Sequence, residues 1–102
     1  MTAEFAVALP AIALVLAGCL AAVLLSAQQV RLTDAAADAA RALGRGESSA
    51  AAQAIAVRVA GAVSLETAAD GEFVCARLSA SGDGLLAAVR LSAESCAVGG
   101  GR

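Results

Sequence analysis

Residues 5–30 read FAVALPAIALVLAGCLAAVLLSAQQV, a stretch that carries no charged side chain. Its continuously apolar part, residues 5–25, contains 21 residues. As an α-helix rising about 1.5 Å per residue, this part reaches roughly 30 Å, which is the thickness of the hydrocarbon core of a bilayer. The stretch therefore predicts a transmembrane helix over residues 1–27 and a protein anchored in the cell membrane by a single pass.

A cleaved signal peptide is the main alternative for this stretch. Signal peptides have a basic N-terminal region, an apolar segment of about 7–15 residues and a small-residue cleavage site. Here no Lys or Arg precedes residue 5, and the apolar run is longer than such a segment. We therefore prefer the membrane-spanning helix. Release of a small secreted domain after cleavage is the alternative.

Composition narrows the classes of function. The chain has no histidine, so it lacks the commonest general base and the commonest metal ligand. Its net charge is −2, and it has only two aromatic residues and no basic stripe for nucleic acid. We expect a protein that is not an enzyme and has no cofactor, no bound metal, no small-molecule substrate and no nucleic-acid partner.

The helix is predicted to continue beyond the membrane. Residues 28–43, QQVRLTDAAADAARAL, contain neither Pro nor Gly and consist largely of helix-forming residues. We expect one helix from about residue 3 to residue 43, with residues 28–45 projecting outward. Its spacing predicts two stripes: a charged one of Arg31, Asp34, Asp38, Arg41 and Arg45, and an apolar one of Leu32, Ala36, Ala39 and Leu43.

Residues 46–102 are predicted to form a small extracytoplasmic α+β domain. Residues 48–61 indicate a short second helix, with Ser48 or Ser49 as its N-cap. Alternating segments at 63–67, 72–80 and 89–97, separated by the turn sequences ADG and SGDG, predict a three-stranded antiparallel sheet. The final GGGR predicts a frayed tail.

The three cysteines fall into two groups. Cys19 lies in the apolar run, where we expect a small packing residue. Cys75 and Cys96 lie on the second and third predicted strands, and outside the cytoplasm they can form a disulfide. Closing that loop would add about 3 kcal/mol. In a reducing compartment the two would be unrelated free thiols.

Two signals conflict over orientation. Arg31, Arg41 and Arg45 follow the apolar run and no cation precedes it, which by the positive-inside rule places the C-terminal part in the cytoplasm. The expected disulfide favours the opposite. A short basic leader ahead of Met1 would remove the conflict. We expect a cytoplasmic N-terminus and an extracytoplasmic C-terminal domain.

Small residues recur along the apolar run. Ala13, Ala17 and Ala21 stand at every fourth position, with Gly18 beside them. Small residues allow close packing of helix backbones in lipid. The recurrence fits a helix–helix contact and fits generic alanine-rich filler equally well.

The opening TAEFAVALPAIALVLAGCL, followed by QQVRLTDAAADAARAL, resembles the TadE-like family. These proteins are pseudopilins or minor pilins of the tight-adherence, Flp-type branch of type IV pili, and the short actinobacterial forms are the most similar. The resemblance covers residues 1–45 well and the rest only in general layout. It implies a pilus built around bundled N-terminal helices, with other pilin-like subunits and the assembly machinery as partners. Members are usually cut at a leader glycine before the apolar helix. No such glycine precedes the apolar helix in this sequence, so we make no prediction about where, or whether, a leader is cut.

The family opens its apolar helix with a glutamate and an aromatic residue, here Glu4 and Phe5. A carboxylate in hydrocarbon costs several kcal/mol unless it finds a cation. The resemblance implies that the N-terminal amine of a neighbouring subunit neutralises Glu4 and sets the helix register during assembly. Alternatively, Glu4 lies at the membrane interface, favoured by the positive end of the helix dipole.

The sequence thus predicts a structural, minor pilin-like subunit packing through its N-terminal helix. The alternative is a single-pass membrane protein whose outer domain binds an unrelated envelope partner.

Overall fold

The chain forms a long N-terminal helix whose second half carries a small α+β unit. The structure is a computed structural model and describes residues 2–82 and 84–99. It measures 70 Å along its longest axis and 20 by 17 Å across. Of the predicted GGGR tail, residues 100–102 lie outside the described residues.

Two helices and three strands follow one another in chain order. Helix α1 spans Thr2–Gly44 and helix α2 spans Ser49–Ala60. The strands are β1 (Ser64–Asp70), β2 (Phe73–Ser81) and β3 (Arg90–Val98), with a 3-10 turn at Gly84–Leu86. The strands pair antiparallel in the order β1-β2-β3. The predicted architecture of a long helix, a short helix and a three-stranded antiparallel sheet is confirmed.

Local signals explain where α2 begins and ends. The Ser48 side chain accepts a hydrogen bond from the backbone N–H of Ala51, which satisfies one of the unpaired donors of the first turn. Gly61 follows the last turn with φ of 82°, and its N–H donates to the Val57 carbonyl. The predicted helix at 48–61 is thus shortened by its two cap residues.

Strand β1 runs three residues beyond the predicted segment at 63–67. The ADG sequence was expected to turn, but Asp70 pairs with Phe73 and only Gly71 and Glu72 form the loop. Gly71 adopts φ of 62°, which a two-residue hairpin loop requires and glycine supplies without strain. The hairpin therefore keeps Ala69 and Asp70 in the sheet.

The core lies between the sheet and the two helices, and it is built mostly of alanine. The two largest fully buried side chains are Leu32 on α1 and Leu78 on β2. The other buried apolar residues are Ala35, Ala36, Ala39, Ala40, Ala42, Ala52, Ala56, Ala76 and Ala80. Because alanine is small, helices and strands approach closely. Residues 28–44 of α1 thus pack into the same unit as α2 and the sheet, and we call residues 28–82 and 84–99 the head.

Candidate functional site on the N-terminal helix

The N-terminal half of α1 has no packing partner in the described part of the chain. In the most apolar window of the helix none of the residues is buried. More than half of the surface is exposed for Phe5, Val7, Leu9, Ile12, Leu14, Val15, Leu16, Leu20, Val23 and Leu24. Soluble monomers rarely expose a contiguous apolar surface of this size.

The exposure of this surface excludes the interpretation of residues 5–25 as the core helix of a soluble protein. Within the described residues α1 is the helix long and apolar enough to cross a membrane. The core helix of a soluble protein would meet the same criteria but would be mostly buried, unlike this one. A membrane span and a signal sequence both fit the finding.

Glu4 and Phe5 lie in the first turn of α1, ahead of the apolar surface. Both side chains are exposed, Phe5 by 66%. The Glu4 carboxylate has no ion-pair partner among residues 2–82 and 84–99. A carboxylate in the first turn is favoured by the helix dipole, so the position suits an acid whether or not a partner chain approaches.

The small residues lie open as well. A Cβ atom added at Gly18 would meet nothing within 4 Å, and Ala13 and Ala17 are exposed. Cys19, next to Gly18, is a free and exposed cysteine. None of the residues that the structure describes covers this side of the helix, which is therefore open to lipid or to another molecule.

Two glutamines join the apolar half of α1 to the head. Gln28 donates from Nε2 to the Ser81 carbonyl over 3.0 Å, and Gln29 donates to the Ser92 carbonyl over 2.9 Å. Neither glutamine was predicted from the sequence to make a long-range contact. The available signal was their position, because the two consecutive amides begin three residues after the end of the apolar run at residue 25.

Cys75 and Cys96 form a disulfide, as predicted. The two residues face each other in the β2–β3 register, with Cα atoms 4.0 Å apart. Ala76 and Leu78 of β2 are buried against the helices. Cys75 alternates with them and therefore lies on the opposite face of the sheet.

Acidic and basic side chains of the head form exposed pairs. Asp38 and Arg41 of the charged stripe form an i,i+3 ion pair at 2.8 Å, and Arg77 contacts Glu94 at 3.4 Å. Exposed pairs of this kind contribute little to stability. Among the described residues no group of three or more His, Cys, Asp or Glu is arranged to hold a metal ion.

Comparison with known proteins returns no relative. The chain matches no protein-family model, and neither curated proteins nor solved structures give a significant match.

Proposed function

We propose that this chain is a minor pilin-like subunit of the TadE-like type, anchored in the cell membrane and serving a tight-adherence pilus system in a structural, non-catalytic role. One observation carries the proposal. None of the residues in the most apolar window of α1 is buried against the described residues. This half of the helix therefore requires lipid or neighbouring apolar helices around it. A bilayer supplies the lipid, and a fibre of bundled helices supplies the neighbouring apolar helices.

Glu4 provides the specific contact in this proposal. A carboxylate at the bilayer centre costs roughly 3 kcal/mol on insertion scales, and pairing with a cation removes much of that cost. In this proposal the exposed Glu4 carboxylate, which forms no ion pair within residues 2–82 and 84–99, meets the N-terminal amine of a neighbouring subunit. Because one register brings the two charges together, the pair favours correctly staggered helices.

The proposed orientation has the N-terminus in the cytoplasm and the head outside. Support comes from the Cys75–Cys96 disulfide, because disulfides form and persist in oxidising compartments and are rare in the cytosol. The three arginines that follow the apolar run argue the other way by the positive-inside rule. Accessibility of an engineered cysteine in the head, such as Glu72→Cys, to a membrane-impermeant maleimide in intact cells decides between them.

The central experiment compares Glu4→Gln with Glu72→Gln, a matched change at an exposed acid of the β1–β2 turn. Each full-length variant is expressed in its native host, and membranes are solubilised in mild detergent for pulldown. We expect both variants to insert into the membrane, and only Glu4→Gln to lose co-purification with pilins, the assembly ATPase and the platform proteins.

Three outcomes would contradict the proposal. Normal incorporation of Glu4→Gln removes the pairing role. Recovery of an unrelated envelope protein in place of pilins supports the alternative of a single-pass protein with its own partner. A mature chain that begins after residue 25 in mass spectrometry identifies a signal peptide and rules out the anchor.

A further inference from the structure

One end of the head lies beside the apolar half of α1. Strand β2 runs toward that half and ends at Ser81, whose carbonyl is bound by Gln28. Gln28 follows the apolar run by less than one helical turn. Leu24 of the run and Leu86 of the β2–β3 connection line the same open cleft of about 760 Å³. If α1 spans a bilayer, the β2–β3 connection therefore lies at the level of the membrane surface.

The later part of this connection, residues 84–89, is apolar and mostly exposed. Residues 84–89 read GLLAAV, and the Leu85 side chain is fully exposed, at 103% of its reference area. Val57, in the last turn of α2, lines the same cleft and is 43% exposed. An apolar loop continuous with a membrane-spanning surface is typical of a segment that enters the interfacial region.

The arginines of the head differ in whether they form ion pairs. Arg41, Arg45 and Arg77 form ion pairs. The other arginines of the described residues, Arg31, Arg58 and Arg90, form none within residues 2–82 and 84–99.

These three arginines lie at the end that carries Leu85. Arg31 and Arg90 line the cleft, and Arg58 belongs to the last turn of α2. Two exposed acids lie at the far end: Asp70 is the last residue of β1, and Glu72 lies in the β1–β2 loop. Asp83, in the β2–β3 connection, lies outside the described residues.

We infer that this end of the head is a second membrane contact, in which Leu85 enters the headgroup region and Arg31 and Arg90 bind phosphates of anionic phospholipids. The inference rests on the membrane anchoring in the proposed function. Lipid is the occupant that the geometry favours, because the contact lies where the 21-residue apolar run ends and the bilayer surface begins. Arginines near an anionic surface are attracted to it, and their aliphatic stems tolerate the interface.

The first test measures the depth of single labels in the full chain. Cys19→Ser removes the free thiol, and an environment-sensitive dye is attached at Leu85→Cys, Glu72→Cys or Leu14→Cys. The protein is reconstituted into vesicles of phosphatidylcholine, alone or with phosphatidylglycerol, that contain spin-labelled lipid. In vesicles with phosphatidylglycerol we expect quenching at position 85 by a spin label near the headgroup, and this quenching should be weaker in phosphatidylcholine alone. In both kinds of vesicle we expect quenching at position 14 by a deep spin label and none at position 72.

The second test removes the two cleft arginines. In vesicles containing phosphatidylglycerol, the label at position 85 reports the equilibrium constant for binding of the head to the membrane surface. Arg31→Gln and Arg90→Gln should each lower that constant about fivefold. Arg45→Gln, at the other end of the head, is the matched control and should leave it unchanged. The same quenching in phosphatidylcholine alone would overturn the role of the arginines.

The label at position 14 separates failure of this inference from failure of the anchor. Quenching at 14 without quenching at 85 leaves the anchor intact and overturns the head contact. No quenching at either position overturns both. In a further outcome, the label at 85 becomes shielded from iodide as the protein concentration rises, with no quenching by spin-labelled lipid. That result identifies a second copy of the chain as the occupant and also overturns the inference.

Discussion

Gln28 on α1 donates a hydrogen bond of 3.0 Å from Nε2 to the carbonyl of Ser81, the last residue of β2. The next residue, Gln29, bonds Ser92 on β3 in the same way, so two adjacent helix positions hold two adjacent strands. Because these bonds lie just after the apolar run, they fix the direction of the head relative to the uncovered half of α1. The orientation of the head relative to the uncovered half of α1 therefore depends on hydrogen bonds within the head.

Removing both amides should loosen this junction. For Gln28→Ala combined with Gln29→Ala we expect the free energy of unfolding to fall by about 1–2 kcal/mol, since each net hydrogen bond contributes about 0.5–1.5 kcal/mol. Urea titration of the full chain in detergent, followed by circular dichroism, measures the change. Val30→Ala, at an exposed neighbouring position, is the control. An unchanged midpoint for the double variant would show that the bonds contribute nothing.

The two buried leucines should dominate the stability of the head. Leu32→Ala or Leu78→Ala should each cost about 2–5 kcal/mol, because these are the largest fully buried side chains in a core otherwise made of alanine. Leu85→Ala removes the same atoms from a fully exposed side chain and should leave the unfolding transition unchanged. Equal effects of Leu32→Ala and Leu85→Ala in the same titration would contradict this description of the core.

Gly44 and Gly18 lie in one helix and should respond oppositely to alanine. A Cβ atom at Gly44 would lie 3.0 Å from the Val98 carbonyl oxygen and 3.3 Å from the Ala97 Cβ, whereas one at Gly18 meets nothing within 4 Å. Gly44→Ala should destabilise the head by about 1 kcal/mol or more, because crowding a close contact costs about 1–3 kcal/mol. Gly18→Ala should raise helix stability through its better helix propensity. The two melting temperatures check this, and a gain for Gly44→Ala would refute the close contact.

The sequence predicts much of this fold because its signals are local. Uninterrupted helix formers over 28–43, the Ser48 cap and the alternating strands each act within a few residues. The buried face of α1 is wider than the predicted stripe, since Ala35, Ala40 and Ala42 are buried too. Periodicity predicts a single buried face, but here both α2 and the sheet pack on α1. An alanine does not indicate which of these partners will bury it.

The candidate site is less predictable for a different reason. The partner proposed for Glu4 is another chain, so neither the sequence nor the geometry of a single chain tests its role. The glutamine junction and the close approach at Gly44 are long-range contacts, in which Gln28 meets Ser81 and Gly44 meets Val98. Such contacts depend on how the sheet docks on the helix, and no local pattern encodes that docking.

The disulfide should be a major source of stability for this alanine-rich head. It joins residues 21 positions apart, and closing a loop of that size stabilises by about 3 kcal/mol in the chain-entropy description. We expect Cys75→Ala combined with Cys96→Ala to lower the free energy of unfolding by about that amount, because little large apolar area is buried to compensate. Cys19→Ser, which removes the free and exposed cysteine, is the control and should leave stability unchanged.

Thiol counting makes the disulfide prediction independent of the stability measurement. Under non-reducing conditions the denatured wild-type chain should react with one equivalent of maleimide, at Cys19, and with three after reduction. Three reactive thiols before reduction would refute the disulfide in the cell. One reactive thiol without loss of stability in the double variant would instead show that the antiparallel pairing of β2 and β3, and not the covalent link, holds the strands together.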